Sequence, residues 1–215
     1  MRSILFLCLL WTTFCCSLPA ARGELVRNGS FQNPDVPDTR AFEFFVPGQT
    51  IGEGWVVDSN SASAVLVSRV APPTPEDGDQ FLILGTAPTV ATVWQDVILD
   101  VASYRLSFEH GSADLGDDAS VSVDVKQIGG GSVLGGPVSF NVAIASGFES
   151  QTLDFTNSTS GSYRLIIEGM DGSPAIDAFV LQSITAIPEP SSFALLTILA
   201  LPAIVRRRRK SSWPW

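Results

Sequence analysis

The chain has 215 residues, 45% of them hydrophobic and 16% charged, with a formal net charge of −9. That acidity excludes nucleic acid and anionic lipid as natural partners and leaves divalent cations or neutral ligands such as sugars, or simply a solvated surface. The three cysteines, Cys8, Cys15 and Cys16, all fall near the N-terminus, so disulfides, thiolate metal sites and a cysteine nucleophile are excluded from the body of the chain.

The first element in chain order is a secretory signal peptide over residues 1–23. Arg2 gives a short positive start, residues 4–14 an apolar run, and Ala20, Ala21 and Gly23 the small residues a signal peptidase reads. Cleavage is expected next to Glu24. Residues 24–187 then hold six basic and 21 acidic residues, a net −15 against −9 for the whole chain. Their 164 residues suffice for one domain with its own core.

That domain reads as β throughout. Alternating or short apolar runs bounded by Gly, Pro, Asp and Ser predict strands over 54–57, 64–70, 80–84, 91–99, 104–110, 119–127, 138–143, 151–155, 163–169 and 176–184. The runs at 104–108 and 121–125 alternate cleanly, so each is expected to keep one wet face. Residues 129–132 and 157–161 are turns. Phe42, Phe44 and Phe45 fall in a predicted loop and are expected to plug one end of the fold, with a ligand rim as the alternative. Trp55 is expected in the core. Trp94 leaves its face open, and an exposed Trp face stacks on a pyranose ring. About ten strands in one domain predict an all-β antiparallel sandwich. Catalysis has little support: His110 is the single histidine, and no serine or carboxylate pattern supplies its partners.

The last element is a C-terminal signal. Pro188-Glu189-Pro190 interrupts regular structure, the apolar run 193–205 comes next, and Arg206, Arg207, Arg208, Arg209 and Lys210 stop transfer. Thirteen residues rise about 20 Å as a helix, short of a hydrocarbon core of about 30 Å, which suits a temporary anchor. A short tail, 211–215, ends the chain.

Motif, apolar segment and basic cluster together resemble the PEP-CTERM sorting signal over about residues 187–210. The resemblance implies export, a transiently membrane-anchored form with its C-terminus cytoplasmic, and processing by an exosortase in bacteria that make exopolysaccharide. The mature protein then belongs to the cell surface or extracellular matrix.

Within the domain, Asn28-Gly29-Ser30-Phe31-Gln32, Gly54-Trp55, Asp77-Gly78-Asp79-Gln80-Phe81 and Ile176-Asp177-Ala178-Phe179 stand in an order that resembles the galactose-binding-like jelly rolls, which include carbohydrate-binding modules. The resemblance implies that the opening and closing strands meet. It also implies a structural Ca²⁺ there, with Asp177 as the charged ligand and Gln32, Asp77 and Asp79 adding oxygens. Gln32 departs from the family's usual Glu, which weakens such a site. The plainer reading makes Asp177 a turn residue and the Asp-Gly-Asp a hairpin signal. The function this predicts is a non-catalytic carbohydrate-binding module, with Trp94 as the stacking candidate and extracellular polysaccharide as partner. A structural or adhesive matrix protein and a small polysaccharide-active hydrolase are the alternatives.

Overall fold

A strand that packs on one side only buries every second residue, and this pattern sorts the side chains into an inner and an outer layer. The computed structural model describes residues 25–37, 41–69, 78–86, 89–113, 118–143 and 147–184. The signal peptide, the sorting signal with Pro188, Glu189, Pro190 and the 206–210 cations, and the candidate ligand Asp77 lie outside the described residues. The strands are β1 (Phe42–Phe45), β2 (Thr50–Ile51), β3 (Trp55–Val57), β4 (Val65–Ser68), β5 (Phe81–Ile83), β6 (Gly85–Thr86) and β7 (Thr89–Val90). Then come β8 (Thr92–Leu99), β9 (Ala102–Ser112), β10 (Ala119–Gln127), β11 (Val138–Val142), β12 (Glu149–Asn157), β13 (Gly161–Asp171) and β14 (Pro174–Ile184). No helix occurs among the described residues. The chain divides into two units, Met1–Ser183 and Ile184–Trp215, and the sheets belong to the first.

Two six-stranded sheets carry the fold, in the orders β1-β4-β5-β14-β9-β12 and β11-β10-β13-β8-β3-β2, while β6 and β7 form a separate ribbon. The pairings are antiparallel. Residues from both sheets share one buried cluster, so the sheets form a sandwich. Its centre is a chain of aromatic contacts. Trp55 lies 5.7 Å from Phe31 and 5.5 Å from Phe179, and Phe179 stacks on Phe108 at 5.2 Å. Trp55, Phe31 and Phe179 are fully buried, each stabilising the fold by about 1.5–3 kcal/mol through area alone. A smaller apolar cluster, Phe81, Ile83 and Ala175 with Phe148 against it, covers part of the first sheet.

The opening segment lies along the closing strand, as the motif order implies. Leu25 N–H donates to Leu181 O at 3.3 Å, and Phe179 N–H donates to Gly29 O at 2.9 Å. β14 pairs with β5 through Ala175 and Ile176. Ala178 then takes φ = 48°, in the left-handed region, and the next N–H goes to the opening segment instead. Side-chain amides fix that segment from the other sheet. Gln95 of β8, buried, accepts from Arg27 N–H at 2.7 Å and donates to Arg27 O at 2.9 Å.

Two expectations are corrected. Phe42, Phe44 and Phe45 form an edge strand rather than a plug: Phe45 is buried, but Phe42 and Phe44 face solvent. Their register against β4, with Phe44 opposite Leu66, makes them a ladder rather than a loop. β10 does not keep a wet face over 121–125 either. Its Ser122 and Asp124 are buried, because the turn at Gly129 folds the chain back so that Ser132 Oγ donates to Asp124 Oδ1 at 2.5 Å. β9 does behave as expected, with Tyr104, Leu106 and Phe108 inside and Arg105 outside.

Candidate functional site

The outward residues of the second sheet line up in rows set by its register. Val56 of β3 stands opposite Trp94 of β8, Trp94 opposite Ile166 of β13, and Ile166 opposite Asp124 of β10. The next row is Asp96, Arg164 and Lys126. Over these rows the sheet carries a recess of about 360 Å³, floored by Trp94, Arg164 and Ile166. Asp58 closes one end and the turn at 127–130 the other.

Arg164 organises this recess. Its Nε and Nη2 reach both carboxylate oxygens of Asp96, at 2.8 and 3.0 Å, a two-point geometry that fixes the guanidinium plane. Its Cζ lies 3.6 Å from the centre of the Trp94 ring, a cation–π contact. The Asp96 hydrogen bonds hold the guanidinium pKa above its usual value, with partial burial opposing and the charges of Asp96 and Asp58 adding. Trp94 is half-buried, with one ring face under Arg164. The arrangement offers an aromatic edge, a fixed cation, the Asp58 carboxylate, the Lys126 ammonium and the Gln127 amide, which suit hydroxyl groups on a neutral ring.

His110 is not part of this recess. It sits on β9, fully buried, with both ring nitrogens lacking hydrogen-bond partners. Burial lowers its pKa to about 4, and Glu149, its partner across the β9–β12 ladder, raises it only in part. A neutral imidazole sealed away from solvent has no substrate to act on.

Of the candidate calcium ligands, Gln32 and Asp79 fall at the junction of the opening segment and β5. Gln32 Oε1 accepts from Asp79 N–H at 3.3 Å, so those two residues do meet. The Asp79 carboxylate instead faces Arg69 Nη2 at 2.8 Å. Asp177 is buried on β14, its Oδ1 accepting from Ala178 N–H at 2.7 Å. Among the described residues no three His, Cys, Asp or Glu side chains gather as a metal-binding group. Calcium takes six to eight oxygens, whereas Gln32 points its NH₂ at Ser30 O and Gln80 O, at 2.8 and 3.1 Å. As placed, the described residues do not fit the ion.

No family model and no curated protein matches the chain. Solved structures do. TmCBM61 in complex with β-1,4-galactotriose aligns with TM-score 0.52 and 15% identity, covering 75% of this chain and 99% of that one. The arabinose-bound α-L-arabinofuranosidase MgGH51 aligns with TM-score 0.53 and 13% identity over 77% of this chain, which spans only 27% of the enzyme. The xylan-binding domain CBM22-1 of Paenibacillus barcinonensis Xyn10C aligns with TM-score 0.48 and 14% identity, covering 68% and 98%.

The chain has the jelly-roll β-sandwich fold of carbohydrate-binding modules.

On this jelly roll, sequence reasoning finds one resident of the recess, Trp94, and misses Arg164, Lys126 and Asp58, as well as Asp96, which holds Arg164. Nothing near Trp94 in sequence announces Arg164; the β8–β13 register brings them together. Asp96, two residues from Trp94 in an alternating strand, is the one signal that points to the same face.

Proposed function

We propose that the domain is a non-catalytic carbohydrate-binding module that engages extracellular polysaccharide through the outer face of β8, β13 and β10. The half-buried Trp94 in the recess, with Arg164 held over it by Asp96, carries this reading. A pyranose presents apolar C–H groups to the part of the indole that Arg164 leaves uncovered, and hydroxyls to the flanking groups. The fold likeness supports the choice of ligand class, since TmCBM61 holds a β-linked galactotriose. A glycan array probed with residues 24–187 tests it. Retention on one family of neutral β-linked glycans is the expected result, and a blank array would overturn the reading.

The route to the cell surface belongs to the same proposal. The signal peptide exports the domain, and the 193–205 segment holds it briefly in the membrane with the 206–210 cations cytoplasmic. An exosortase then removes the residues C-terminal to Pro188-Glu189-Pro190. Mass spectrometry of the native protein should find an end near that motif. Recovery only of chains ending at Trp215 would contradict processing.

One observation favours an adhesive matrix role as the second reading. Phe42 and Phe44 are 44% and 58% exposed on an edge strand, where both apolar surface and unpaired backbone invite association.

A further inference from the structure

We propose that Gln32 and Arg69 do at the opening junction what a divalent cation does in a calcium-stabilised fold, so that this domain closes without metal. The junction has a backbone problem. Residues 28–36 make no regular ladder, yet several of their polar groups turn inward and need partners. Asn28, Trp55 and Phe179 satisfy some of them, and two glutamines satisfy others. Gln80, fully buried, accepts from Val36 N–H at 2.5 Å and donates to Phe31 O at 3.0 Å and Pro34 O at 3.1 Å.

Gln32 adds a bridge to the β5 entry. Its Nε2 donates to Ser30 O at 2.8 Å and to Gln80 O at 3.1 Å, a carbonyl 48 residues away. Carbonyl oxygens from distant segments converging on one point are what a bound cation gathers. Here the NH₂ group, with its partial positive charge, stands between them. The amide cannot be turned over, because its oxygen would then face two carbonyl oxygens and its nitrogen the Asp79 N–H. Gly78 makes room for it: a Cβ there would lie 2.5 to 2.7 Å from three atoms of the Gln32 amide.

The carboxylates beside the junction carry their own cation. Arg69 Nη2 lies 2.8 Å from Asp35 Oδ1 and 2.8 Å from Asp79 Oδ2. It ties the opening segment to the residue before Gln80 and offsets part of the negative charge there. A carboxylate at position 32 would reverse the arrangement. It would press a negative oxygen against Ser30 O and Gln80 O, and only a cation would relieve the contact.

Thermal unfolding of the full chain in EDTA, in millimolar calcium and in millimolar magnesium tests this, alongside Gln32→Glu. The wild-type midpoint should agree within about 1 °C in all three solutions. Gln32→Glu should unfold several degrees lower in EDTA and recover in calcium more than in magnesium, by about 3 °C or more. Calcium-specific stabilisation of the wild type would overturn the proposal. So would a Gln32→Glu chain that ignores calcium. Should that variant not fold, equilibrium dialysis of the wild type against micromolar calcium decides: no retained ion supports the amide junction, and one ion per chain refutes it.

Discussion

His110 shows what burial does to a single side chain. Both nitrogens are without partners, so the fold tolerates the ring only while it is neutral. Desolvation lowers its pKa to about 4 from a usual 6.5, against the smaller opposing pull of Glu149. An unfolded chain therefore binds a proton below pH 6.5 that the folded chain resists. The stability His110 confers is full above pH 6.5 and is lost as pH falls towards 4, with a slope of at most about 1.4 kcal/mol per pH unit. Thermal unfolding across that window should show a midpoint that falls with acid, and His110→Phe should flatten the dependence. Equal slopes for both proteins would remove His110 as the cause. Trp94 and Gln95 show the limit of reading alternation residue by residue. The polar Gln95 is buried and the aromatic Trp94 faces outward, the reverse of what hydrophobicity suggests. The reason is local: Gln95 is needed inside to satisfy Arg27.

At the scale of elements, the long strands are visible in the sequence and the short ones are hidden. The ten expected strands all have counterparts, because each carries apolar residues that mark a strand, most clearly in the interior strands. Some ends extend further than the pattern suggests, as in β9 and β13, which run to Ser112 and Asp171, and others stop short, as in β4 and β5. β2, β6 and β7 have two residues each and leave no pattern to find. β1 escapes because two of its phenylalanines face water. Motif order marks the opening segment, but its amide pins arise from tertiary packing and carry no local signal. The central contact between elements is Phe179 of β14, wedged between Trp55 of β3 and Phe108 of β9. Phe179→Ala should lower stability by about 3–5 kcal/mol in urea unfolding without changing the slope. A loss under about 1 kcal/mol would mean the two sheets are not held together there.

For the whole molecule, charge and topology point the same way. An acidic β-sandwich with net charge −15 over residues 24–187 repels polyanions, which agrees with the neutral glycan proposed for its sheet face. The rows that build that face depend on three registers at once, so fold class is legible in the sequence and the recess is not. Isothermal titration of residues 24–187 with an array-selected oligosaccharide, for wild type and Trp94→Ala, tests the central claim most directly. The account predicts saturable binding by the wild type, at least about tenfold weaker in Trp94→Ala, with both proteins unfolding at similar temperatures. Equal affinity in the two proteins would contradict it.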